Sequence, residues 1–118
     1  MSVKSRRVYR ASGLLKTRVM SPSGEKLGEG EDVVLDLEQK SLAYAAISFG
    51  GFLGIGEKLF AVPWALLELK HDSEGKNLVF EVDRQELKAA PGFDPKNWPD
   101  VARPDWRAEI DQYYRGEA

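Results

Sequence analysis

The chain has 118 residues, of which 42% are hydrophobic and 31% charged, and its net charge at pH 7 is −2. These values are ordinary for one soluble globular domain with a buried core. The absence of cysteine excludes disulfides, thiol catalysis and zinc sites built from thiolates. No apolar run has the length of a transmembrane helix or a signal-peptide core, so we expect a cytoplasmic protein.

Positive charge is concentrated at the start of the chain. Residues 1–18 contain basic side chains and no acid, so the rest of the chain is acidic on balance. Such a segment is either a solvated terminus or a basic arm that contacts nucleic acid or anionic lipid. The candidate arm residues are Arg6, Arg7 and Arg10. Because the body is acidic, the solvated terminus is the favoured interpretation.

Two strand patterns open the body, over residues 14–20 and 26–38, with a turn at residues 21–24 between them. The first places three side chains on one face: Leu15, Thr17 and Val19. The second directs three side chains towards the core: Val33, Leu35 and Leu37. Gly28 and Gly30 lie inside this second pattern and predict a bulge or a barrel corner.

The later strand patterns are more apolar. Residues 41–49 are apolar on both faces, so this strand is expected to be buried on both faces or covered on its outer side. Pro63 interrupts the run at residues 57–69 and predicts two short strands there. Residues 76–83 form a final strand with three side chains inward: Leu78, Phe80 and Val82.

Two helices follow the strands. Asp83 is a predicted N-cap, with Glu86 in the matching capping-box position and Leu87 placed for a hydrophobic staple with Val82. The second helix has Asp105 as its expected cap and carries one apolar stripe: Trp106, Ile110, Tyr113 and Tyr114. Because an isolated helix of this length is marginal, the stripe is expected to pack on its own barrel or on a second subunit.

These elements predict a mainly β fold, a small six-stranded barrel with a short helix after the last strand and a C-terminal helix. Residues 1–9 form the basic N-terminal arm, residues 10–90 the barrel domain, and residues 91–118 a proline-rich linker and the C-terminal helix. Phe93 and Trp98 are expected to anchor the linker. Since side chains fill a barrel of this size, we expect no internal ligand cavity. The chain has one histidine, no cysteine and no EF-hand spacing, so we expect no metal site, and we expect no cofactor.

A glycine-rich stretch, "SFGGFLGIGEKLFAVPW", separates two of the strand patterns. Its glycine spacing matches neither the dinucleotide fingerprint nor the P-loop, and a strand-like sequence follows it where a phosphate site needs a helix. We therefore interpret it as a turn at the barrel rim. Three large apolar residues in it either fold over the barrel end or form a patch for a partner: Phe52, Leu53 and Ile55. Trp64 has the same two alternatives, a core side chain or an exposed anchor.

Two polar features have ordinary explanations beside functional ones. His71 and Asp72 could pair as a base and its orienting carboxylate, but adjacent residues of a strand point to opposite faces, so a solvated histidine is favoured. Acids cluster in the second strand: Glu29, Glu31, Asp32, Asp36 and Glu38. A solvent-facing surface is the favoured interpretation, and an electrostatic docking surface is the alternative.

Three ordered segments carry a family resemblance: "ASGLLKTRVMSPSGEKLGEGEDVVLDLE", "YAAISFGGFLGIGEKLFAVPW" and "FEVDRQELKAAPGF". Together they make residues 10–90 resemble the PRC-barrel domain family. That family includes the cytoplasmic domain of the photosynthetic reaction-centre H subunit and the C-terminal domain of ribosome-maturation factors. The resemblance implies a six-stranded interaction module that docks proteins or supports assembly, without enzyme activity or a shared set of catalytic or cofactor residues.

We therefore expect a non-enzymatic, homodimeric interaction or assembly module that supports a larger electron-transfer or stress-related complex. The candidate interaction residues are Phe52, Leu53, Ile55, Trp64, Trp106, Tyr113 and Tyr114. The alternative is an RNA- or ribosome-associated maturation factor that uses the basic arm. Peripheral association with a membrane complex stays open, and the sequence does not identify the protein partner.

Overall fold

The computed structural model describes residues 8–49, 58–73 and 75–115. Within them, six strands form one sheet in the order β4-β3-β2-β1-β6-β5. Neighbouring strands are antiparallel except β1 and β6, which are parallel. The strands are β1 (Arg18–Met20), β2 (Lys26–Asp36), β3 (Ser41–Ser48), β4 (Leu59–Pro63), β5 (Leu67–Asp72) and β6 (Gly75–Phe80).

Short helical elements lie at the ends of this sheet. Two 3₁₀ turns cover Ala11–Leu14 and Trp64–Leu66. Helix α1 covers Arg84–Ala89 and helix α2 covers Pro104–Arg115. A six-stranded sheet with one short helix and one C-terminal helix confirms the predicted mainly β fold class.

The sheet curls around one interior. Among the described residues, ten buried side chains fill it, from β1, β2, β3, β4, β6 and α1 and from the segment just after β3: Val19, Leu27, Ala45, Ile47, Phe49, Phe60, Val62, Leu78, Phe80 and Leu87. Leu67 and Leu69 of β5 pack against this cluster from the remaining side. No ladder joins β4 to β5 among the described residues, so side-chain packing completes the barrel-like wall where backbone hydrogen bonds do not.

Strand β3 is buried on both faces, as its sequence predicts. Four consecutive residues from Tyr44 to Ile47 are buried. Ala45 and Ile47 face the interior, whereas Tyr44 joins Ala61 and Ile110 in a second buried cluster on the outside. Because Ile110 belongs to α2, the C-terminal helix is the element that covers the outer face of β3 and β4.

Three other local predictions are confirmed. Strand β4 ends at Pro63, and a 3₁₀ turn separates it from β5. A register shift lies between Gly30 and Asp32, where glycine predicted a bulge. The Asp83 carboxylate accepts a hydrogen bond from the backbone N–H of Gln85 at 2.7 Å, which makes Asp83 the N-cap of α1.

The predicted inward direction of Leu35 and Leu37 is wrong. Their side chains are 55% and 78% exposed, respectively. Leu35 lies one residue before the end of β2, where the pairing with β3 skips Ala43, so the strand runs past the buried cluster at this point. Leu37 lies beyond the end of β2, in the turn that leads to β3, so strand alternation does not apply to it.

Two predicted starts of elements are also wrong. Residues 14–20 do not form one strand, because a 3₁₀ turn ends at Leu14 and Lys16 adopts a φ of 63°, which breaks the extended run. In consequence Leu14 is buried and Leu15 is 38% exposed. Helix α2 begins at Pro104, so Asp105 is its second residue and not its cap. Proline suits the first helical position because its φ is fixed and its missing N–H has no partner there.

Candidate interaction surfaces

The aromatic stripe of α2 packs on the chain's own barrel. The ring of Trp106 contacts the ring of Tyr44 edge-on, with centroids 5.4 Å apart. Tyr114 packs against both buried clusters, and burial raises the pKa of its hydroxyl. The Tyr113 hydroxyl donates a hydrogen bond to the backbone carbonyl of Glu86 in α1. Of the two expected destinations for this stripe, the structure places it on the chain's own barrel.

The remaining candidate interaction residues divide into two groups. Trp64 is partly buried in the 3₁₀ turn after β4 and packs against the interior cluster, as a core side chain does. Phe52, Leu53 and Ile55 lie outside the described residues.

The candidate basic arm lies mostly outside the described residues, which begin at Val8. Arg6 and Arg7 are among the residues left out. Arg10 is exposed, and its guanidinium donates a hydrogen bond to the Ser12 hydroxyl at 3.2 Å. The structure therefore shows only the base of the arm, at the edge of the barrel.

A polar network joins α2 to the β2–β3 hairpin. The Tyr44 hydroxyl donates to a carboxylate oxygen of Asp111 at 3.1 Å, and Arg107 donates to Asp36 at 3.2 Å. The backbone N–H of Gln39 is the largest influence holding the pKa of the Asp36 carboxyl below its usual value, and Arg107 acts in the same direction. Burial raises the pKa of Tyr44. Charge and hydrogen bonds thus fix the helix at one place along the hairpin.

Beside this network the hairpin presents exposed apolar surface. We call Leu35 and Leu37 the leucine ridge. A groove of about 670 Å³ lies next to it, between the hairpin and the approach to α2, and Val34, Ala43 and Val101 contribute apolar lining. Large apolar side chains that project beside a groove are typical of protein contact surfaces.

The acidic cluster of β2 is largely matched within the chain. The Glu31 carboxylate contacts the Lys16 ammonium at 2.8 Å and accepts a hydrogen bond from the Ser48 hydroxyl at 3.0 Å. Glu29 pairs with Lys26 at 3.3 Å. These contacts favour the ordinary interpretation of this strand face over an electrostatic docking surface.

His71 and Asp72 point to different partners, as expected for adjacent strand residues. The His71 Nε2 lies 3.2 Å from the Tyr9 hydroxyl. Asp72 instead accepts a hydrogen bond from the Asn77 amide at 2.6 Å and lies 3.5 Å from the Arg18 guanidinium. The structure does not bring the two together as a base and its orienting carboxylate. Across residues 8–49, 58–73 and 75–115, no group of three or more His, Asp or Glu side chains is arranged to hold a metal ion.

Comparison with known families agrees with this architecture. A family model described as the PRC-barrel domain matches residues 6–87. The chain belongs to the PRC-barrel domain family. The match confirms the resemblance found in the sequence, and it spans all six strands while ending before the linker and α2.

Two further findings concern this PRC-barrel protein. A comparison with curated proteins finds no match. Among the helices that the structure describes, none has the length and apolar character needed to cross a bilayer.

Four residues that form the candidate surfaces of this PRC barrel do not stand out in the sequence as functional candidates. The sequence pattern predicts a core position for Leu35 and Leu37 and singles out neither Arg107 nor Asn77. A lysine-containing turn directly after Leu37 gives a weak sequence signal that the ridge lies at a hairpin end. Asn77 gives a second signal, since asparagine is depleted in strands and one inside an apolar strand needs an explanation.

Proposed function

We propose that this PRC-barrel protein is a non-enzymatic interaction or assembly module. The ten-residue core supports the proposal because it fills the interior with apolar side chains and leaves the outer surface for recognition. Separate partners for His71 and Asp72 support it as well. Loss of a measured activity in His71→Ala or Glu31→Ala would count against it.

The leucine ridge is the observation that carries the proposal. Burial of a leucine side chain contributes about 1.5–3 kcal/mol, so two leucines exposed to this degree are a large driving force for association. A second copy of the chain is the proposed occupant. In a two-fold dimer each ridge packs against the ridge of the other subunit. One substitution in the sequence therefore changes both sides of the interface.

Sedimentation velocity tests the homodimer. We expect the wild type to sediment as a dimer at tens of micromolar and the variant Leu35→Ser/Leu37→Ser to sediment as a monomer. Leu15→Ser is the matched control, because Leu15 is also partly exposed but lies outside the hairpin. A monomeric wild type, or a ridge variant that stays dimeric, would remove the dimer from the proposal.

The wider setting that we propose is a cytoplasmic protein that supports a larger complex, of the electron-transfer or stress-related kind. A cross-linking pull-down from native lysate, analysed by mass spectrometry, tests this setting. Components that the wild type captures and the ridge variant loses are expected to belong to one assembly. Identical capture by the wild type and the ridge variant would contradict the use of this surface.

A second candidate function is an RNA- or ribosome-associated maturation factor. The observation that favours it is the run of basic residues without an acid in residues 1–18. Against this, Lys16 and Arg18 contact Glu31 and Asp72, so these two cations are partly neutralised within the barrel. RNA binding through the arm requires an affinity that falls by about one log unit per log unit of salt for each phosphate contact. Unchanged RNA capture after removal of residues 1–10 would exclude this function.

A further inference from the structure

The outer face of β1, β6 and β5 carries a second groove, whose described lining residues are separate from those beside the leucine ridge. Two adjoining hollows of about 550 and 480 Å³ share the lining residues Ser21, Pro22 and Glu81. One hollow extends towards the start of α1 and the other along β5 and β6. We call the two together the acidic groove.

Carboxylates dominate the walls of the acidic groove. Towards α1 the acidic lining residues are Glu25, Glu81, Asp83 and Glu86. Along β5 they are Glu68 and Asp72, and the ammonium of Lys70 lies 3.9 Å from Glu68. The groove therefore has an excess of negative charge at its rim, which attracts a cationic group and repels the phosphates of nucleic acid.

The floor of the groove adds an independent observation. Asn77 lies on the outer face of β6 and lines the groove, yet its residue is only 5% exposed. Its amide donates to Asp72 at 2.6 Å, whereas its carbonyl oxygen has no hydrogen-bond partner in the described part of the chain. A buried acceptor without a partner costs about 1–3 kcal/mol, so a ligand gains a hydrogen bond if its N–H donor reaches this oxygen when the covering side chains shift.

Apolar side chains complete the floor. Met20 of β1 and Val79 of β6 pair in register and line the same hollow as Asn77, as does Leu66. A ligand for this groove thus needs several N–H donors, no acceptor that would meet the carboxylates, positive charge and some apolar surface. The arginine guanidinium has five donors in a planar fork and no acceptor, and it is weakly hydrated for a cation.

We propose that the acidic groove binds an arginine-bearing, otherwise apolar segment of a partner protein. The proposal rests on the proposed function only in taking the outside of the barrel as a protein-binding surface, and it uses residues separate from the ridge. A guanidinium reaches the carboxylates of Glu68 and Glu81 at the rim, and apolar neighbours pack on Met20 and Val79. A free metal ion does not fit, because the described residues hold no cluster of ligands.

The chain's own basic segment is the competing occupant. Tyr9 contacts His71, which itself lines the groove, so the described part of the chain starts close to this surface. The basic segment before Val8 contains Lys4, Arg6 and Arg7. The experiment therefore needs a form of the protein that lacks residues 1–7.

Fluorescence anisotropy with a labelled heptapeptide of three arginines alternating with leucines tests the proposal on the full chain. We expect micromolar binding, at least tenfold weaker for a matched peptide with citrulline in place of arginine. Glu68→Gln/Glu81→Gln is expected to weaken binding at least tenfold. The control Glu38→Gln/Glu109→Gln removes equal charge from exposed positions outside the groove and is expected to stay within twofold of wild type.

Asn77→Leu supplies a second readout, with a thermal melt to establish that the variant is folded. A folded Asn77→Leu protein is expected to lose affinity for the arginine peptide, because the acceptor on the floor of the groove is gone, and an unchanged affinity would remove Asn77 from the site. The proposal is overturned by an undetectable wild-type interaction at 200 µM peptide, by equal losses in the groove and control variants, or by equal affinity for both peptides. Removal of residues 1–7 that strengthens binding tenfold would identify the chain's own segment as the occupant and would overturn the assignment to a partner.

The ridge and groove experiments fail independently. A wild type that is monomeric and still binds the peptide would refute the homodimer proposal and leave the groove proposal standing. A wild type that dimerises through the ridge and does not bind the peptide would refute the groove proposal and leave the proposed interaction module standing.

Discussion

Gly28→Ala is expected to destabilise the barrel severely, because the new methyl group has no space. A Cβ at this position would lie 2.0 Å from the backbone oxygen of Ser48 and 3.2 Å from the Cα of Phe49. Both contacts are with backbone, so no side-chain rotation relieves them. The end of β3 would have to move by roughly an ångström, which breaks its pairing with Glu29 and moves Phe49 within the core.

The expected loss combines two terms. Overpacking of a tight site costs about 1–3 kcal/mol, and each ladder hydrogen bond lost contributes about 1 kcal/mol more. With one or two ladder bonds lost, the terms sum to about 2–5 kcal/mol, which lowers Tm by about 8–20 °C for a domain of this size.

Thermal unfolding by circular dichroism, with urea unfolding as a second measurement, tests this value. Gly13→Ala is the matched control, since a Cβ at Gly13 meets nothing within 4 Å. We expect it to be neutral or to stabilise by a few tenths of a kcal/mol, because alanine reduces the entropy of the unfolded chain. A Gly28→Ala protein within 1 kcal/mol of wild type would refute the close approach of β2 and β3.

Three further outcomes follow from the packing of α2. Ile110→Ala is expected to cost about 2–4 kcal/mol in urea unfolding, because Ile110 is buried against β3 and β4; a cost below 1 kcal/mol would mean that the helix is not docked as described. Tyr44→Phe is expected to cost about 1 kcal/mol, and a double-mutant cycle with Asp111→Ala should show coupling, so additive losses would exclude their hydrogen bond. Because the folded pKa of Asp36 lies below 3.8, its contribution is present above that value and is lost as the pH falls towards the folded pKa. Asp36→Asn should therefore be less stable than wild type at pH 7 and should approach it at acidic pH, and a constant difference would contradict this.

The sequence predicted the parts of the fold where one local rule acts alone. Pro63 cannot donate to a ladder, and β4 ends there. Asp83 has the side chain and spacing of an N-cap, and it caps α1. Apolar residues on both faces of β3 required a cover, which α2 supplies.

Prediction failed where the chain departs from a regular strand inside the sheet. Lys16 breaks the extended run over residues 14–20, and Leu35 lies one residue before the end of β2, where the strand runs past the buried cluster. Strand alternation carries no information about either event. The leucine ridge was difficult to predict because it lies at that strand end. The acidic groove was difficult to predict because it assembles residues from separate strands and from α1, whose proximity follows from tertiary structure.

The position of α2 has a practical consequence for anyone who divides this chain. The family match ends at residue 87, whereas α2 begins at Pro104 and shields Tyr44 and Ala61 on the outer wall. A fragment that ends at residue 87 would expose the apolar outer face of β3 and β4 to water and would be prone to aggregate. The shortest fragment of this protein that we expect to stay folded and monodisperse in solution therefore retains its final helix.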